Sequence, residues 1–187
     1  VTCADGQFRV HKGMGLVSQV FKGKTLERLK GSMAVGHTRY STTGSSHHRN
    51  SQPLTVDCSK GQIAIAHNGN LTNAAQLREE LELGGSIFQT TVDSEIILHL
   101  MARPSNGSDN NLVKSLQRIQ GAYSLVIMTE NELIGVRDPH GFRPLSIGKL
   151  DGAYVLSSET CAFDLIQAEF VRDVEPGEIV IINDDGI

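Results

Sequence analysis

The chain has 187 residues, 39% of them hydrophobic and 20% charged, with a formal net charge of −4. A chain of this size builds one domain that buries roughly 70% of its unfolded surface, and its acidic balance leaves no electrostatic footprint for nucleic acid. Its apolar run at 96–102, broken by His99, is far shorter than the ~20 residues of a membrane helix, so a soluble, cytoplasmic protein with no membrane partner is expected.

In chain order, β-type runs come first. Residues 8–10, 34–40 and 62–66 are short alternating or apolar segments bounded by glycine and polar residues, and strands are predicted there. Helical signals fill the middle. A helix is predicted over 74–83, with Leu77 and Leu81 four apart, Thr72 or Asn73 as N-cap and Gly84-Gly85 as the stop. A second is expected over 93–103, ended by Pro104. A third, over 111–119, carries Leu112, Leu116 and Ile119 at helical spacing. Strand texture then returns at 122–128, 132–136, 145–148, 154–156 and 178–182, interrupted by a short helix over 160–167. The connections among these strands are too short for parallel crossovers, so they should be mainly antiparallel. Two strand sets flanking a helical middle predict an α+β arrangement of two sheets covered by helices, all in one domain over 1–187.

Cys3, Cys58 and Cys161 are odd in number and far apart, and read as reduced structural thiols. Thr2-Cys3-Ala4-Asp5-Gly6 fits a strand and turn. Val1 is not an initiator and Asn183–Ile187 is a turn signal without a strand after it, so the chain is expected to belong to a longer polypeptide.

Three segments could carry chemistry. Gly36-His37-Thr38-Arg39-Tyr40-Ser41-Thr42-Thr43-Gly44 ends a predicted strand in a guanidinium surrounded by hydroxyls, a fork suited to a carboxylate. By pattern alone it reads as an exposed arginine beside a Ser/Thr turn. Ala66-His67-Asn68-Gly69-Asn70 is predicted as a loop between a strand and a helix. An asparagine amide and the next backbone N–H can bind an oxyanion there, while Asn-Gly is also a common turn dipeptide. Thr91-Val92-Asp93-Ser94-Glu95 opens the second helix, where Asp93 would cap it or, facing a pocket, bind an ammonium. Glu95 and His99 read as a helix-face pair, and His47-His48 as solvated, because no further ligand has metal-site spacing.

The order His37-Thr38-Arg39-Tyr40, His67-Asn68-Gly69-Asn70, Asp93-Ser94-Glu95 resembles the glutaminase domain of class II glutamine amidotransferases. His11-Lys12-Gly13-Met14-Gly15-Leu16, the run from Arg137 through Leu145, Ser158-Glu159-Thr160-Cys161-Ala162 and Glu175-Pro176-Gly177-Glu178 are similar to the amidophosphoribosyltransferase branch in particular. The resemblance implies an N-terminal-nucleophile fold, a four-layer αββα sandwich with two mainly antiparallel sheets. It implies glutamine hydrolysis that supplies ammonia to phosphoribosyl pyrophosphate, giving 5-phosphoribosylamine for purine synthesis. Arg39, helped by Thr42, would clamp the glutamine α-carboxylate and Asp93 its α-ammonium. The Asn68 amide and Gly69 N–H would stabilise the oxyanion, with His67 and Tyr40 supporting. The family's nucleophile is an N-terminal cysteine, expected upstream of this chain, so the chain by itself is expected to be inactive; Cys3 is assigned no catalytic role. A phosphoribosyltransferase domain on the same polypeptide and a homo-oligomer are implied as partners. No cofactor is implied for this domain; magnesium, and in some members an iron–sulfur cluster, belongs to the full-length enzyme. A glucosamine-6-phosphate synthase type of amidotransferase is disfavoured by Thr43, where that branch has histidine, and a non-catalytic glutamine-binding module is the remaining alternative.

Overall fold

A computed structural model describes residues 1–39, 47–104 and 111–187. Strands β1 (Thr2–Ala4) and β2 (Gln7–Arg9) form a hairpin about Asp5 and Gly6, both at positive φ, as a tight two-residue turn requires. The short helices α1 (Val17–Val20) and α2 (Gly23–Arg28) bury no residue, and β3 (Met33–Ala34) then pairs with the other edge of β1. A 3₁₀ turn at His48–Asn50 leads into β4 (Leu54–Cys58) and the long β5 (Gly61–Leu71). Helices α3 (Ala74–Leu83), α4 (Ser94–Ala102) and α5 (Asn111–Arg118) follow. Four strands come next: β6 (Gly121–Met128), β7 (Leu133–Arg137), β8 (Ser146–Leu150) and β9 (Ala153–Ser157). The chain closes with α6 (Cys161–Ile166), β10 (Glu169–Asp173) and β11 (Ile179–Ile182).

These strands make a five-stranded sheet, β11-β7-β6-β5-β4, and two three-stranded sheets, β2-β1-β3 and β10-β8-β9. Every pairing among the described strands is antiparallel, as the connection lengths predict. Strand alternation sorts the faces of the large sheet. Ile63, Ile65, Leu125, Ile127 and Val136 point to α3–α5, where Leu77, Leu81, Ile96, Ile97 and Leu112 close the main core. Ala64, Ala66 and Met128 point the other way, onto Cys3 of the first small sheet and Val35 just after β3. Leu145, Ile147, Val174 and Val180 fill the space under the second small sheet. On that sheet's outer face Phe163 of α6 lies over Gly148, where a β-carbon would collide with its ring. The layers are thus helices, the five-stranded sheet, the two small sheets on its other face, and α6, the four-layer α+β sandwich that the resemblance implies.

Two predicted elements change and two strands are added. Residues 34–40 are predicted as a strand, yet β3 stops at Ala34, and Tyr40 lies outside the described residues. β4 and β10 were not predicted, although Leu54, Val56 and Cys58 alternate with Thr55 and Asp57 in the first; all five residues of the second are exposed. The Asn68-Gly69 segment was predicted as a loop, but β5 runs through it to Leu71, in unbroken register with β6.

Candidate active site

The C-terminal half of β5 organises the site. β4 accompanies β5 only as far as the pair Leu54–Ile65, so residues 67–71 have β6 on one side and an open edge on the other. Backbone N–H groups two apart point to the same edge of a strand. At this edge the His67 N–H donates to Gln52 Oε1 at 2.7 Å and the Leu71 N–H donates to Asp93 Oδ2 at 2.9 Å. The Gly69 N–H, midway between them, faces the same edge by that alternation. Gly69 has φ +141°, and a β-carbon there would collide with the Ala122 carbonyl oxygen, so only glycine fits this approach of β5 to β6.

Asp93 was read as a cap for the second helix. It stands at the cap position of α4 but makes no capping bond from its side chain. Its carboxylate reaches across to β5 instead, taking the Leu71 N–H and lying 3.3 Å from His67 Nδ1. His67 Nδ1 is also 3.1 Å from Ser94 Oγ. A carboxylate only accepts, so the hydrogen sits on Nδ1; Nε2 is buried without a partner among the described residues. Burial works to raise the Asp93 carboxyl, but the His67 bond and charge and the Leu71 and Ser94 N–H groups outweigh it and hold it below the usual range. Asp93 is therefore ionised at neutral pH.

Asn68 projects to the opposite face of β5, with Ala64 and Ala66. Its Oδ1 accepts a 2.9 Å bond from Arg143 Nη2. Arg143 comes from the loop after β7, which closes around Asp138, a carboxylate with 0% exposure. That carboxylate accepts from the backbone N–H groups of Tyr123 (3.3 Å), His140 (3.0 Å), Phe142 (3.2 Å) and Arg143 (2.9 Å). Burial alone would raise the Asp138 carboxyl, and the four N–H donors bring it below the usual range instead. Arg137 clamps the loop from outside, donating to the carbonyls of Arg143, Val174 and Gly141 at 2.9, 2.7 and 3.0 Å.

The family model described as a glutamine amidotransferase domain matches residues 37–164, from the His37-Thr38-Arg39 segment through α6. The chain belongs to the glutamine amidotransferase domain family. Across the whole length of this amidotransferase domain, the amidophosphoribosyltransferase of Bacillus subtilis is 48% identical over 190 residues, of which the chain spans 40%. That of Synechocystis sp. is 52% identical over 193 residues, with 39% spanned. The solved glutamine phosphoribosylpyrophosphate amidotransferase of B. subtilis, in complex with ADP and GMP, superposes with a TM-score of 0.92 at 46% identity, covering 99% of this chain and 40% of that one. The domain thus spans about two-fifths of the length of the curated relatives it matches.

Four of the five predicted site residues of the amidotransferase domain fall in described segments; Thr42 lies outside them. Asn68 and Gly69 are adjacent on β5, and the Asp93 carboxylate reaches the same strand from α4 through the Leu71 N–H. Arg39 is joined to them less directly. It lines a recess of about 170 Å³ with His37 and Gln52, the same Gln52 that bonds the His67 backbone, and that recess includes neither Asn68 nor Asp93. His37 lines that recess beside Arg39; burial lowers its pKa to about 4, helped by the charges of His67 and Arg39. Arg143 and Asp138 were read only as parts of a family segment. An Arg-Asp pair opening a glycine-containing loop after a strand was the available signal, but nothing local tells that its last arginine meets Asn68.

Metal ligation finds no fit. Among the described residues no three His, Cys, Asp or Glu side chains come together, and Cys3, Cys58 and Cys161 lie on β1, β4 and α6. No step below runs through magnesium or an iron–sulfur cluster. Glu95 and His99 form the helix-face pair, at 3.9 Å. No helix among the described residues is long and apolar enough to cross a membrane.

Proposed function

We propose that this domain hydrolyses the side-chain amide of glutamine within an amidophosphoribosyltransferase. Water and glutamine give glutamate and ammonia. The ammonia displaces pyrophosphate from phosphoribosyl pyrophosphate to give 5-phosphoribosylamine, the committed step of purine synthesis. The relatives' names supply the acceptor. The observation that carries the hydrolytic half is the open edge of β5, where the Gly69 N–H lies between the Gln52 contact and the ionised Asp93 carboxylate. In this reading the Gly69 N–H and the Asn68 Nδ2 hydrogens receive the oxyanion of the tetrahedral intermediate, Asp93 pairs with the substrate ammonium, and Arg39 with its carboxylate. Thr42 assists Arg39.

None of the three cysteines suits attack on that amide. Cys3 is 1% exposed on the central strand of its sheet, and burial, with Glu130 beside it, pushes its thiol up. Cys58 ends β4 and Cys161 is exposed at the start of α6. A thiol of pKa near or below ambient pH is the effective nucleophile. The reading takes the attacking group, as the family resemblance implies, to be an N-terminal cysteine of the parent polypeptide, and takes a phosphoribosyltransferase domain of the same polypeptide to receive the ammonia. The reading also takes the full-length enzyme as a magnesium-dependent homo-oligomer of the cytoplasm, where free thiols such as Cys161 persist.

The test is glutamine-dependent pyrophosphate release by the full-length protein, together with a structure of its complex with a glutamine analogue. The analogue is expected between Arg39 and Asp93 with its side-chain oxygen at Gly69. An analogue bound elsewhere, or turnover without glutamine consumption, would overturn the reading.

A further inference from the structure

We infer that Arg143 is a positioning residue for glutamine hydrolysis: its Nη2–Oδ1 bond to Asn68 fixes the amide so that the two Nδ2 hydrogens face the substrate. The inference rests on the glutaminase reading of the site and extends it to a residue that touches no substrate. A primary amide can present either end. A guanidinium only donates, so the 2.9 Å contact admits the carbonyl end of Asn68 and rejects its NH₂. The NH₂ then points away from Arg143, and it has no partner among the described residues. The charge on Arg143 also polarises the amide toward its hydrogens, which strengthens them as donors.

Two features set this contact apart from an incidental surface bond. Arg143 Nε is buried with no partner among the described residues, a desolvation cost that stability alone does not recover. The loop that delivers Arg143 is held far more tightly than a surface turn needs, since the Asp138 carboxylate takes its backbone N–H and Arg137 takes its carbonyl. The anchoring determines where the guanidinium lies.

In the full-length enzyme, Arg143→Met should lower kcat for glutamine about tenfold or more, a fraction of the loss on deleting an oxyanion donor, with KM changed less than about twofold. Arg143→Lys keeps a charged donor and should recover part of that kcat; it replaces the methionine variant if the latter does not fold. In an Asn68→Ala background the same Arg143 substitution should add less than about a twofold loss, because no amide remains to orient. An equal loss in both backgrounds, a change confined to KM, or a wild-type kcat in Arg143→Met overturns the positioning role while leaving the glutamine site intact. A wild-type rate in Asn68→Ala overturns the site reading and this inference together.

Discussion

Asn68 stands on an 11-residue strand that pairs with β6 through the register Ala64–Met128 to Leu71–Gly121, whereas Arg39 stands on a stretch that leaves its sheet after the two residues of β3. The first is held by a backbone ladder and a loop wrapped around a buried carboxylate. The second lies beyond the strand, where Gly36 and Thr38 are exposed and His37 and Arg39 are half-buried. Position is costly to change in the first region and cheap in the second. Substitutions near Asn68 should therefore appear as lost fold or lost rate, and those near Arg39 as weakened substrate binding.

The largest effect is expected at Asp138, where Asp138→Ala deprives four backbone N–H groups of their acceptor. A loss on the order of 4 kcal/mol in urea unfolding is expected; a loss under about 1 kcal/mol would mean the loop is held by Arg137 instead. Next comes Asn68→Ala, which should lower kcat for glutamine by about 10²–10³ while leaving the unfolding midpoint nearly in place. A rise in KM at unchanged kcat would break the contrast, since it would make Asn68 a binding residue like Arg39. Arg39→Gln should raise KM for glutamine about tenfold or more, the worth of one charge-assisted contact, with kcat little changed. Steady-state kinetics on one preparation of each variant separates the two patterns.

The smallest effect concerns pH. The folded-state pKa of His37 is lowered from 6.5 to about 4. The unfolded chain therefore binds more protons between those values, and stability that is full above pH 6.5 declines as pH falls toward 4. Replacing the imidazole by His37→Gln should flatten that part of the curve relative to the parent protein, read from urea midpoints at pH 7 and pH 5. An unchanged slope would mean that His37 is not the group whose protonation destabilises the fold in this range. Asp93 and Asp138 are lowered too, and their contributions are lost at lower pH still, below the ordinary carboxylate range.

Much of this was legible beforehand where the signal is local. Helix α3 runs over Ala74–Leu83 as its apolar spacing predicts, with Leu77 and Leu81 buried and Gly84 at its end. The five strands predicted after Gly121 lie within a residue or two of their predicted places, and only β10 is added to them. Asn73 illustrates the limit: it occupies the predicted cap position, but its side chain bonds the Arg118 carbonyl and the Gln120 N–H, joining α3 to the end of α5. Capping propensity is a local preference, and a distant unsatisfied backbone group outcompetes it.

The amino-acid sequence by itself determined the antiparallel layering, the helical middle and the ordered set of residue types that can grip an amino acid by both charged ends. Only the tertiary structure decided that Asn68 and Gly69 lie within a strand, that the Asp93 carboxylate takes the Leu71 N–H of β5, and that Arg143 meets an amide 75 residues away. The physical reason is the same in each case. A backbone N–H or a buried carboxylate must find a partner once water is removed, and which partner is near depends on strands and loops that are far apart along the chain.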